Sequence, residues 1–152
     1  MSKKFFCLLT IVMAAVLSVG FASCSDDDDD SGVAGEETLY GAWQQTQGAA
    51  FEDGALHHDH KVSADEADYL LFSETGTCSV IAGDDGIFFG NGSFSFSFDA
   101  EAKTLKVGSQ SFVVDVLSSG TLKLKYYYND EEYDVATFKK VSKSVWDGVN
   151  AQ

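Results

Sequence analysis

The sequence predicts an all-β protein, an antiparallel up-and-down meander of about eight strands. Three observations carry that expectation. Apolar residues recur at every second position in one short segment after another, the period of a strand with one buried face. Short runs drawn largely from Gly, Asp, Asn and Ser separate consecutive segments and supply turns. No segment between them has the length and 3.6-residue period of a crossover helix, so neighbouring strands are expected to run antiparallel. A meander exposes two strand edges, and closing it into a barrel removes both. About eight strands then leave an interior just wide enough for side chains or one small ligand. A two-sheet sandwich is the alternative.

The first strand places Leu39, Gly41 and Trp43 on one face and Tyr40, Ala42 and Gln44 on the other. A polar, solvent-facing loop containing His57-His58-Asp59-His60 follows. Ser63-Ala64-Asp65-Glu66 fits a capping box, with room for barely two turns before the apolar pattern resumes at Tyr69, so a short helix and a loop both fit. Leu70 and Phe72 point away from Tyr69 and Leu71, and Glu74-Thr75-Gly76 turns the chain into residues 77–81 to make a hairpin. The next turn, residues 83–86, leads into an expected strand at Ile87-Phe88-Phe89. Residues 93–98 give the cleanest alternation, with Phe94, Phe96 and Phe98 on one face and three serines on the other, as in a half-buried strand. Residues 99–103 turn the chain into a strand at 104–107. After another turn at 108–110, Phe112, Val114 and Val116 share one side. Beyond Ser118-Ser119-Gly120, Leu122, Leu124, Tyr126 and Tyr128 are expected inward, with Lys123, Lys125 and Tyr127 outward. Asn129-Asp130 turns into a last strand over 132–141. There Tyr133 and Val135 oppose Ala136 and Phe138 in parity, which predicts a bulge or burial on both faces. The tail has one strong apolar anchor, Trp146, expected to plug an end of the sheet structure or to fray.

Several of these elements share a further likeness. Gly41-Ala42-Trp43 opening the first strand, Phe72 followed by Glu74-Thr75-Gly76-Thr77, the Phe94-Phe96-Phe98 strand, Thr104-Leu105, Thr121-Leu122 and the closing Phe138-Lys139-Lys140-Val141 form one set. Together they resemble the small lipocalin-like domains of lipoproteins from Bacteroidota-type bacteria, over residues 39–141. The resemblance implies a closed or nearly closed lipocalin-like barrel.

The N-terminus reads as an address. Lys3 and Lys4 precede an apolar run, and Gly20-Phe21-Ala22-Ser23 supplies small residues for cleavage, so residues 1–23 are expected to be a signal peptide. An uncleaved membrane-spanning helix is the competing reading. Cys24 directly after those residues resembles a bacterial lipobox, in which the cysteine is acylated and becomes the new N-terminus. Several acyl chains, at about 0.8 kcal/mol per buried CH₂, would hold the chain on a membrane permanently. Asp26 to Asp30 repel one another and stay solvated, so residues 24–37 are expected to form a flexible acidic tether. Their position after Cys24 resembles the export signal of surface-exposed lipoproteins. The resemblance implies an outer-membrane anchor and exposure at the cell surface. The β domain is then expected over 38–142 and a tail over 143–152.

Composition narrows the function. The 152 residues carry 24 acids against 10 lysines and no arginine, for a net charge of −14. Such a chain lacks the cations that neutralise phosphates, which excludes nucleic acid as a partner. Hydrophobics at 45% with 12 Phe exclude low-complexity disorder. Cys7 lies in the signal and Cys24 is the acylation site, so Cys78 is alone in the body, where its alternation with Val80 reads as a small buried hydrophobe.

Three features bear on chemistry. His58 and His60 would lie on one side of an extended segment, a spacing that suits Zn²⁺ or Ni²⁺, with Glu52 or Asp59 offering an oxygen. A solvated polar loop is the competing reading. Carboxylate pairs such as Asp84-Asp85 and Glu131-Glu132 fall in turns, without the contrast of environments that acid–base catalysis needs. No phosphate loop, nucleophile elbow or Cys/His pairing is present, so the expectation is a non-enzymatic binding module without a cofactor. Its ligand would be an apolar small molecule lined by Trp43, Phe72, Phe94, Phe96 and Phe112, or a surface protein or glycan met at Tyr127 beside Lys123 and Lys125. An accessory or inhibitor protein with a filled barrel is the alternative.

Overall fold

A computed structural model describes residues 33–152. The segment expected to be a signal peptide, Cys24 and most of the expected acidic tether lie outside the described residues. Nine antiparallel strands form one sheet: β1 (Gly41–Glu52), β2 (Ala55–Lys61), β3 (Tyr69–Phe72), β4 (Thr77–Ile81), β5 (Gly92–Asp99), β6 (Thr104–Val107), β7 (Gln110–Leu117), β8 (Thr121–Tyr127) and β9 (Glu132–Val141). Each of β3 to β9 pairs with its neighbour in sequence, and β9 pairs back onto β1, from Val141 opposite Ala42 to Glu132 opposite Glu52. Hydrogen bonds therefore run around a nearly closed ring of eight strands, lipocalin-like in shape, and the barrel expectation holds over the sandwich.

The ninth strand is β2. The first half of β1 pairs with β3 and its second half with β2, so β2 is a hairpin arm set beside the ring. This corrects the reading of His57 to His60 as a loop. Asp53 and Gly54, both at positive φ (53° and 74°), make the two-residue turn that an Asp-Gly pair favours in a hairpin.

Inward side chains from all around the ring meet in a single core, among them Trp43, Leu70, Phe72, Leu105, Phe112, Val114, Leu122, Leu124 and Phe138. Both ends of the ring are covered. At one end the segment before β1 pairs Val33 with Leu117 and buries Leu39, whose carbonyl accepts a hydrogen bond from Trp43 Nε1 at 2.7 Å. Lys140 seals this end, its Nζ lying 4.9 Å from the Trp43 ring centre and donating to the Thr38 carbonyl at 2.8 Å. Burial lowers the pKa of that ammonium. At the other end the loop between β4 and β5 buries Ile87 and Phe88 against the core. It is not the strand expected there. Its backbone N–H groups are drawn to the carboxylate of Asp68 instead of to a neighbouring strand.

Two bulges re-aim side chains. Thr46 is an extra residue in β1 opposite β9, and Asp115 is one in β7 opposite β8. Asp115 ends the alternation before Val116, so Leu117 is fully buried while Val116 is only half-buried, contrary to expectation. Of the two readings of β9, burial on both faces is the one that holds, at Val135 and Ala136, while the bulge of this pair lies in β1. Tyr128, expected inward, is 53% exposed, because β8 ends at Tyr127 and the ring there no longer encloses it. Residues 63–66 form a single turn, with Ser63 Oγ donating to Glu66 Oε2 at 2.6 Å. The tail forms α1 (Lys143–Asn150). Its Trp146 neither plugs an end nor frays: it packs on the outside of the ring against Ala42, Val62, Ala67 and Tyr69.

Candidate functional site

Of the residues read as an interior lining, Trp43, Phe72 and Phe112 are 0%, 2% and 1% exposed, and Phe94 and Phe96 are half-buried against the same core. Their rings contact other aromatics: Phe72 meets Phe96 edge-on at 5.0 Å, and Phe112 meets Phe88 at 4.7 Å and Tyr126 at 5.6 Å. Cys78 is fully buried, and burial holds its thiol well above the ordinary value.

His58 and His60 do share one side of β2, with ring centres 5.0 Å apart. His60 Nε2 lies 3.3 Å from an Asp85 carboxylate oxygen, too loose for a well-formed hydrogen bond. Both histidines border a small cavity of about 80 Å³ between β2 and the β4–β5 loop. Among the described residues no group of three or more His, Cys, Asp or Glu side chains converges as a metal site would need.

A surface concavity bordered by stacked rings lies on the outer face of β1, β9 and β8. It encloses about 330 Å³. Each contributing strand presents every second residue to it. β8 supplies Lys123 and Lys125, which point outward because Leu122 and Leu124 point in. β9 supplies Tyr133, Val135 and Thr137, alternating with Ala136 and Phe138 in the core. β1 supplies Gln47, Ala49 and Phe51, and only because of the Thr46 bulge: Trp43 and Gln45 face in, and the extra residue reverses the parity. The bulge itself is pinned by Thr46 Oγ1 donating to the Thr137 carbonyl at 3.2 Å. On the far side Asp115, the bulged residue of β7, keeps the outward side it shares with Ser111 and Val113 and lines the groove.

Two aromatic rings line this groove, and a third stacks on them just beyond it. Phe51 and Tyr133 face each other across the β1–β9 pair with centres 4.8 Å apart and planes only 5° from parallel. Tyr127 adds a third ring 4.9 Å from Tyr133. Lys125 Nζ lies 5.9 Å from the Tyr133 ring centre and 3.0 Å from Asp115 Oδ1. Burial alone would lower the Lys125 ammonium, but the Asp115 hydrogen bond and charge outweigh it and leave its pKa raised. Lys123 has no hydrogen bond or ion pair with another described side chain.

Tyr127, Lys123 and Lys125 are legible in the sequence as an outward triplet. Asp115 is outward as the alternation of Phe112 and Val114 implies, whereas Phe51 and Tyr133 are not legible, because the Thr46 bulge and a two-sided strand decide where they point. A scan against models of known protein families finds no match, and a search of curated proteins finds none.

Proposed function

We propose that this protein is a non-enzymatic binding module, carried on a lipid anchor at Cys24 and an acidic tether at the outer surface of a bacterial outer membrane, that takes its ligand in the groove on its outer face. The observation that carries the reading is the Phe51–Tyr133 stack beside a polar rim, an arrangement of apolar rings and a few convergent polar groups that ligand sites use. The interior offers less. Trp43, Leu70, Leu105, Val114, Leu122 and Leu124 have no surface open to a water-sized sphere, so an interior ligand would have to push apart side chains already in contact. Support for the anchor lies in the sequence, where Cys24 follows small residues and precedes five aspartates. Kinship with the lipocalin-like domains of surface lipoproteins belongs to the same proposal. Its support is the Gly41-Ala42-Trp43 opening and the ring shape that follows it.

Two experiments test this. A fragment screen by NMR on the full chain in detergent should shift resonances of Phe51, Lys123 and Tyr133. Hits that move Trp43, Phe72 and Phe112 instead would overturn the groove and favour an apolar interior ligand. Fractionation of expressing cells should find the Cys24→Ser chain released from the membrane. Unchanged membrane retention would sink the anchor.

A further inference from the structure

We propose that His60 and Asp85 form a proton-operated latch, which ties the β2 arm to the β4–β5 loop in acid and releases it as the pH rises. The starting point is an orphaned side chain. Both ring nitrogens of His60 are shut off from solvent and neither has a hydrogen-bond partner, the one such side chain among the described residues. A buried polar group left in that state costs free energy, so a condition that gives it a partner changes what the segment carrying it can do. Protonation is that condition. A neutral imidazole has one donor nitrogen and one acceptor, whereas the imidazolium donates from both, and Asp85 Oδ2 stands 3.3 Å from Nε2 as an acceptor. A small closing movement turns this loose contact into a charge-assisted hydrogen bond.

The two halves of the latch differ in freedom. Asp85 stands on a fixed post, because its backbone N–H donates to the Glu66 carbonyl at 3.1 Å and its carbonyl accepts from Gln45 Nε2 at 3.0 Å. The arm, in contrast, pairs with β1 alone. Movement therefore belongs to β2. The groups that meet an imidazolium at His60 come from four elements around one cavity of about 80 Å³. The loop presents Asp85 and β9 presents Asp134, both carboxylates, while β1 presents the uncharged Gln45 and Gly48. β2 itself adds His58, stacked on His60 at 5.0 Å and exposed to water, where like charges repel weakly.

Amide hydrogen exchange of the full chain in detergent tests the latch. Protection factors, which remove the intrinsic pH dependence of exchange, are compared at pH 8 and pH 5, on either side of the range in which histidine changes charge. In the wild type the amides of residues 55–61 should be about fivefold better protected at pH 5, the scale of one partly exposed ion pair. His57→Gln should behave as the wild type. His60→Gln and Asp85→Asn should each lose the response while the ring strands stay protected, and either variant decides the matter if the other fails to fold. Asp68 holds the same loop from the ring side, so the arm and not the loop is the place to read the effect. Equal protection of the arm at the two pH values, a gain shared equally by β3 to β8, or a response that survives in His60→Gln or Asp85→Asn overturns the latch.

Discussion

Asp68 has no exposed surface, and its carboxylate accepts backbone N–H bonds from Gly83 at 2.9 Å, Ile87 at 2.7 Å and Phe88 at 3.1 Å. Gln45, equally buried, holds the same corner by accepting from the Asp68 N–H at 3.1 Å and donating to the Asp85 carbonyl at 3.0 Å. Replacing Asp68 by Ala strands three donors, so Asp68→Ala is expected to cost about 3 kcal/mol or more, read from the urea midpoint. Burial pushes the Asp68 carboxyl above its ordinary value, and the three N–H bonds pull it only part of the way back. A raised carboxyl binds its proton more tightly in the folded state. Its contribution to stability is thus fully present below the unfolded value of about 3.9 and is lost as pH rises through the folded one. The stability gap between wild type and Asp68→Asn should accordingly narrow from pH 4 toward neutrality, and a widening gap would contradict the assignment. Tyr128 offers a second titration. Burial, then its hydrogen bond to Asp134 Oδ2 at 2.8 Å, pushes the phenol up to about 12. Asp134→Asn should bring one tyrosine back toward about 10 in an alkaline absorbance titration.

The loop over residues 82–91 shows why local pattern fell short at the level of elements. Ile87-Phe88-Phe89 has the composition of a strand, but a distant carboxylate captures its N–H groups, and no periodicity in the loop itself could announce that. Gly86 is needed there because a Cβ would collide with the Asp68 carboxylate. The β2 arm was obscured for the opposite reason: both faces of residues 57–61 are polar, so alternation is silent, although Asp53-Gly54 is a hairpin signal in plain sight. By contrast β3 to β8, where one face is buried and the turns carry Gly, Asp or Ser, were legible to within about two residues. The groove was half legible, since Lys123, Lys125 and Tyr127 alternate cleanly whereas the β1 side depends on where one extra residue falls. Helix α1 packs chiefly on β1 and β3, and Trp146 is its buried residue. Trp146→Ala should therefore cost about 3 kcal/mol and speed amide exchange in residues 143–150 while the ring strands keep their order. A variant that loses the ring as well would show that the helix is integral to closure.

Closure of the ring brings the first strand of the sheet against the last, so the whole molecule depends on one long-range seam. Contacts of such sequence separation form only after a large loop-closure cost has been met, which makes the ring an all-or-none structure and not a stack of independent hairpins. That seam also concentrates the charge problem of the molecule. With a net charge of −14 the compact state repels itself, and at the end of the β1–β9 pairing Glu52 stands directly opposite Glu132. Glu132 is already engaged, accepting from Asn129 Nδ2 at 3.0 Å, whereas Glu52 is exposed at the start of the β1–β2 turn, so Glu52 is the one to change. Glu52→Lys replaces a like-charge pair by an opposite one and should raise stability by about 0.5 to 1 kcal/mol at low ionic strength. Screening separates this effect from general repulsion. Added NaCl should raise the melting temperature of the wild type more than that of Glu52→Lys, because salt weakens a repulsion in the first and an attraction in the second. Equal salt responses would mean that the acids at the seam already sit too far into solvent to feel each other, and that the repulsion the ring must overcome is spread over its whole surface.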